Sequence, residues 1–143
     1  MSETIEHASG GCLCGAVRYE ATGVHRHFHA CRCRMCQRWG GGPGFAVETQ
    51  AVRFEDETML ERFDSSEWAQ RGFCKRCGSN LFYFLRPTGQ HMLQVGTFDD
   101  PTPFSMDAEI FVDNPGPDVR FAGDHPRQTA AEVIAASGVT VPD

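Results

Sequence analysis

Seven cysteines fall in three tight clusters, Cys12-Leu13-Cys14, Cys31-Arg32-Cys33-Arg34-Met35-Cys36 and Cys74-Lys75-Arg76-Cys77, and none stands alone. Cysteines one or two residues apart can aim their sulfurs at a common centre about 2.3 Å from each, the geometry of tetrahedral zinc. A disulfide framework normally uses an even number. One closed four-sulfur site leaves three sulfurs over, and three protein ligands with an open position is how a working zinc site is built.

Two zinc schemes fit this spacing. In one, Cys12 and Cys14 join Cys74 and Cys77 in a closed site, and Cys31, Cys33 and Cys36 form an open one. In the other, Cys33/Cys36 and Cys74/Cys77 make a zinc ribbon and leave Cys12, Cys14 and Cys31 over, although the gap from Cys36 to Cys74 is long for that motif. Loop closure favours the first, since three thiolates within six residues reach one metal without a distant strand. The remaining pairs would then staple the start of the chain to its middle. Three thiolates on Zn²⁺ give a net negative centre, a poor generator of hydroxide. Such a site suits an incoming thiol held as its thiolate, which could attack an aldehyde carbon.

The 143 residues correspond to one domain, 1–143, large enough for a real core. No apolar run approaches the ~20 residues of a membrane span. The start, Met-Ser-Glu-Thr-Ile-Glu-His, is acidic where a signal peptide would be basic and then apolar. A cytoplasmic location is the expectation, and in that reducing setting clustered cysteines are metal ligands rather than bridges. A net charge of −6, from 19 acidic and 13 basic residues, argues against a nucleic-acid partner. Arg32, Arg34, Arg38, Lys75 and Arg76 sit beside cysteines and could still make a local positive patch.

Fifteen glycines and eight prolines break the chain into short pieces, which favours strands and turns. Residues 15–22 alternate, with Val17, Tyr19 and Ala21 on one face and Arg18 and Glu20 on the other. Further strands are expected at 27–32, 44–48, 51–54, 59–63, 80–85 and 91–97, those at 44–48 and 51–54 as a pair, with a last one at Ile110-Phe111-Val112. Only 129–136 has helical character, with Thr129 as N-cap and Glu132 at capping-box spacing. The class is mainly β with a short C-terminal helix.

Three stretches resemble the glutathione-dependent formaldehyde-activating enzyme family, related to the centromere protein V domain. They are Gly11-Cys12-Leu13-Cys14-Gly15-Ala16-Val17-Arg18-Tyr19, Cys31-Arg32-Cys33-Arg34-Met35-Cys36-Gln37-Arg38 and Phe73-Cys74-Lys75-Arg76-Cys77-Gly78-Ser79. The segment Val95-Gly96-Thr97-Phe98-Asp99-Asp100-Pro101 is also similar, so the resemblance spans roughly 8–112 and leaves 113–143 as a C-terminal extension. It implies a tent-like fold of small coiled antiparallel sheets bound by zinc. It also implies a structural zinc on Cys12, Cys14, Cys74 and Cys77 and a catalytic zinc on Cys31, Cys33 and Cys36. The implied reaction is reversible addition of glutathione to formaldehyde to give S-hydroxymethylglutathione, a carbon–sulfur lyase chemistry with small-molecule thiol and aldehyde partners. The chain departs from the family pattern at Arg32, where His is common, at Glu109-Ile110, where His-Ile is common, and at Phe121, where Trp is common. The competing reading is a zinc-stabilised binding module without catalysis, a glutathione carrier or a protein-interaction domain.

Several residues have two readings. Arg32 and Arg38, with Arg34, are candidate contacts to the thiol substrate's carboxylates. His25, His27 and His29 alternate and would share a strand face with Cys31, so His29 is a candidate fourth ligand or proton relay; the commoner role is an exposed strand histidine. Gly40 to Gly44 is a glycine-rich turn that could wall the open zinc. Trp39, Phe45 and Phe98 could line a small pocket, though core packing is the commoner role of aromatics.

Overall fold

In a computed structural model that describes residues 3–138, eleven strands, two α-helices and one 3₁₀ turn form mostly antiparallel sheets. The described residues group into two compact units. The first comprises the segment ending at His27 together with Ala46–Ser105; the second comprises Phe28–Phe45 and the segment from Met106 onward.

In the first unit β1 (Thr4–Gly11), β2 (Arg18–His25) and β5 (Ala51–Phe54) form a three-stranded sheet in the order β1-β2-β5. The alternation in the second strand works as expected: Val17, Tyr19 and Ala21 are buried while Glu20 is exposed. A second run of strands orders β4 (Gly44–Glu48), β9 (Gln90–Gln94), β8 (Asn80–Leu85), β7 (Ala69–Cys74) and β6 (Leu60–Asp64). Phe54 joins the two layers, its ring 6.3 Å from Tyr19 and 5.5 Å from Phe82. Tyr19, Leu81, Phe82 and Leu93 are almost wholly buried, each contributing about 1.5–3 kcal/mol of burial. The Tyr19 hydroxyl keeps a partner at Thr97 Oγ1, 2.8 Å away.

The second unit holds β3 (His27–Cys31), α1 (Arg34–Gly40), β10 (Ser105–Ile110), β11 (Arg127–Gln128) and α2 (Ala130–Ser137), with strand order β11-β10-β3. Its buried apolar set is small, with Ala30, Cys33, Ala108 and Phe111 as its members. Thr129 caps α2 in a full capping box with Glu132, as its spacing predicts.

Four sequence expectations fail. The strand expected at 91–97 ends at Gln94, and Val95–Thr97 form a 3₁₀ turn. Strands β4 and β5 do not pair with each other: β5 adds to β2 and β4 to β9, each completing a different sheet. A second helix, α1, begins inside the middle cysteine cluster; it lacks an apolar stripe and is started instead by the Cys33 sulfur, which accepts the Cys36 N–H at 3.3 Å. The strand expected at residues 110–112 lies earlier, as the polar Ser105–Ile110, and the last strand is the two-residue β11. Phe111 takes a left-handed conformation (φ 57°), which stops the extended chain there.

Candidate metal centres

The first cluster is built from two knuckles of the first unit. Cys12, Cys14, Cys74 and Cys77 place their sulfurs within 4.8 Å of one another. Cys12 and Cys14 sulfurs are 3.6 Å apart and those of Cys14 and Cys74 3.8 Å. Ligands about 2.3 Å from a tetrahedral zinc stand about 3.8 Å apart, so these two separations are of the size such an ion would need. Backbone amides support the sulfurs: Val17 N–H donates to Cys12 at 3.2 Å and Cys77 N–H to Cys74 at 3.5 Å. Gly78 makes the second knuckle possible, with φ at 79° and its N–H on the Cys74 carbonyl at 2.7 Å. Ser79 ties the knuckles together, since its hydroxyl accepts the Leu13 N–H at 2.9 Å and lies 3.2 Å from the Cys77 sulfur. Hydrogen bonds from the Ser79 side chain and backbone hold the Cys77 thiol down at about 5.

The second cluster, Cys31, Cys33 and Cys36, lies in the second unit, its sulfurs also within 4.8 Å of one another. Cys31 ends β3, Cys33 caps α1, and Cys36 sits one turn into the helix, so a strand end and a helix start aim three sulfurs at one point. Cys33 is buried and the other two are half-buried. Hydrogen bonds from Cys33 and Cys36, followed by burial, push the Cys31 thiol well above its ordinary value. A cation would reverse that preference and release the protons, as metal binding to thiols does. Gly44 leaves room for this group: a Cβ there would stand 3.4 Å from the Cys36 sulfur. Among the described residues no fourth His, Cys, Asp or Glu joins the set, so this donor group suits a metal with one position left open.

The other expected site residues are placed differently. Arg32 is buried and turned inward, its Nη2 donating to the Val119 carbonyl at 2.7 Å and lying 3.4 Å from Glu109 Oε1. Arg38 is exposed in the last turn of α1, and Arg34 opens that helix. Arg26 breaks the histidine alternation between β2 and β3. His25 is exposed, His27 lies 2.9 Å from Ser105 Oγ, and His29 Nε2 lies 3.5 Å from Asp107. Neither His27 nor His29 joins the sulfur group. Phe45 packs on Phe28 and Phe121, with ring centroids 5.4 and 5.7 Å away. Phe98 belongs to the core of the first unit with Tyr19 and Phe104.

Sequence reasoning missed what surrounds Arg32. Glu109 is buried; its Oε2 accepts from His125 Nε2 at 2.7 Å and forms an ion pair with Arg127 Nε, 2.9 Å away. Burial alone would raise the Glu109 carboxyl; hydrogen bonds from His125 and Arg32 and the charges of Arg127 and Arg32 hold it below the usual range. The available signal was a glutamate between Ala108 and Ile110, flanked on both sides by apolar residues.

A crystal structure of a Rhodobacter sphaeroides protein has a similar fold, with a TM-score of 0.55 at 21% identity over 83% of this chain and 98% of that one. An uncharacterized lyase of Schizosaccharomyces pombe is 26% identical over 127 residues, 87% of this chain and 93% of its own. A Halomonas elongata protein named "Putative glutathione-dependent formaldehyde-activating enzyme" is 32% identical over 85 residues, 52% of this chain and 54% of its own. The model of the glutathione-dependent formaldehyde-activating enzyme family matches residues 7–114, a span that contains all seven cysteines. The chain belongs to that family.

Proposed function

We propose that both clusters hold zinc and that the protein is a carbon–sulfur lyase joining a thiol, by default glutathione, to a small aldehyde, by default formaldehyde. The observation that carries this reading is the division of the sulfurs into a group of four and a group of three. Cys12, Cys14, Cys74 and Cys77 fill a tetrahedron and staple the fold. Cys31, Cys33 and Cys36 leave room for one more ligand.

Zinc held by these three sulfurs would act as a Lewis acid that favours the thiolate form of an incoming thiol at neutral pH. Cys31, Cys33 and Cys36 fix where the ion sits, and the amide of Cys36, pointing at the Cys33 sulfur, steadies the ligand loop. The overall step is balanced without an oxidant: a C–S bond forms between thiol sulfur and carbonyl carbon, the C=O π bond breaks, and the thiol proton ends on oxygen. Arg38, exposed in the last turn of α1 and two residues after Cys36, is the basic side chain assigned to the thiol's carboxylates. The names of the two relatives support the lyase class and the formaldehyde assignment.

Exchange NMR of glutathione with formaldehyde tests the reading. Wild type should accelerate interconversion over the spontaneous reaction and Cys33→Ser should not. Equal rates with and without wild-type protein would leave the zinc-stabilised binding module as the surviving account.

A further inference from the structure

Arg32 stands in sequence between two of the three open-site sulfurs, and its backbone and side chain are both tied down. Its N–H donates to the Ile110 carbonyl at 3.0 Å, and its carbonyl accepts from Gln37 Nε2 at 2.7 Å. Its guanidinium donates to the Val119 carbonyl, faces Glu109 and lies 5.5 Å from the centre of the Phe121 ring. Arg32, Glu109 and His125 side chains are no more than one-tenth exposed.

Several partners of this group come from the stretch 115–127, Val119, Phe121, His125 and Arg127 among them. Gln37 Nε2 also donates to the Pro115 carbonyl at 3.0 Å. Arg127 Nη2 donates to the carbonyls of Phe121 at 2.9 Å and Gly123 at 3.1 Å, while its Nε meets Glu109. Residues 115–126 have no strand or helix; these side chains, the Phe45–Phe121 contact and the Glu109 N–H on the Pro126 carbonyl at 2.9 Å hold their course. The family match ends at residue 114, and Pro115, Val119, Phe121, His125 and Arg127 all follow it.

We propose that residues 115–127 act as a clamp on the three-cysteine loop. Arg32, Glu109, Gln37 and His125 are then positioning residues of the metal site, and Arg32 is not a contact to the thiol substrate. Buried hydrogen bonds to a loop between ligands fix ligand direction before the metal arrives. Loss of such outer partners typically weakens metal binding 10–100-fold, by order of magnitude. The proposal rests on the metal reading of Cys31, Cys33 and Cys36.

The test is metal release from the full-length, zinc-loaded protein into a chromophoric chelator, with the visible spectrum of the cobalt-loaded protein as a second readout. Wild type should release metal in two phases, the three-cysteine site first. Glu109→Gln and Gln37→Ala should speed the first phase by about 10–100-fold, leave the second unchanged, and shift the cobalt bands of the three-cysteine site only. Arg32→Lys, which keeps the charge, should recover part of the loss seen in Arg32→Met. Gln37→Ala leaves every buried charge paired, so it decides the question if Glu109→Gln does not fold. Two wild-type phases with variant release unchanged, or with both phases accelerated alike, would overturn the clamp alone. Uptake of a single metal by wild type would overturn the open-site reading and the clamp with it.

Discussion

His91 offers a sharp test of the packing in the first unit. Its ring lies among Phe54, Phe82 and Phe84, with centroids 5.7, 4.8 and 4.7 Å away, and its Nε2 is buried without a hydrogen-bond partner among the described residues. Burial first, and the Arg62 charge second, hold its pKa down from 6.5 to about 4. A histidine depressed in the folded state takes up its proton more readily when unfolded, so stability falls as pH drops below 6.5 and levels off near 4. The full difference is worth about 3 kcal/mol. Between pH 7 and 5 the corresponding loss is about 2 kcal/mol, reduced to roughly 1 kcal/mol because the ring is partly exposed. Urea unfolding of wild type and His91→Phe at both pH values measures it. Protonation of carboxylates and cysteine ligands weakens both proteins alike, so the difference between their pH slopes isolates His91. Wild type should lose about 1 kcal/mol more than the variant. Parallel slopes would refute the idea that this imidazole is held neutral by its surroundings.

Other substitutions read separate parts of the account. Cys74→Ser should leave the protein one metal short and strongly destabilised, because a structural site contributes folding free energy directly; metal analysis and thermal melting check both effects. Gly78→Ala should cost about 1 kcal/mol through its left-handed backbone, measured by urea unfolding, with metal content unchanged. Glu109→Gln should lower stability by about 3 kcal/mol, since it leaves the buried Arg32 guanidinium poorly paired; denaturant midpoints report it. Its loss should be largest near neutral pH and shrink as acid titrates wild-type Glu109, whose carboxyl is held low in the fold and therefore stabilises above its unfolded pKa.

The cysteine clusters were the most legible part of this chain. Their grouping is local: a sulfur two or three residues away is held near its neighbour by short chain geometry, and the structure brings the seven together as four and three. Strands with alternating or unbroken apolar residues were legible for a similar reason, and β4, β5 and β8 have the expected limits. Strand β1 was not, because Thr4–Gly11 carries one large apolar residue, Ile5, and gets its structure by pairing along β2. The polar β10 escaped notice because Glu109 is buried there by partners distant in sequence. Arg32 lies 77 residues away and His125 and Arg127 lie 16 and 18 residues on, separations that no local pattern reveals. Arg32 itself illustrates the limit. No neighbour in the sequence announces that its side chain turns inward to Glu109 and Val119.

The central claim is that one metal is closed by four sulfurs and the other is held by three with a position free. Zinc X-ray absorption of the native protein counts this directly. Two zinc ions per chain should average about 3.5 sulfurs each, with the remainder oxygen or nitrogen, rising toward about 4 when glutathione is added. A single zinc with four sulfurs, or an average that glutathione leaves unchanged, would contradict the account.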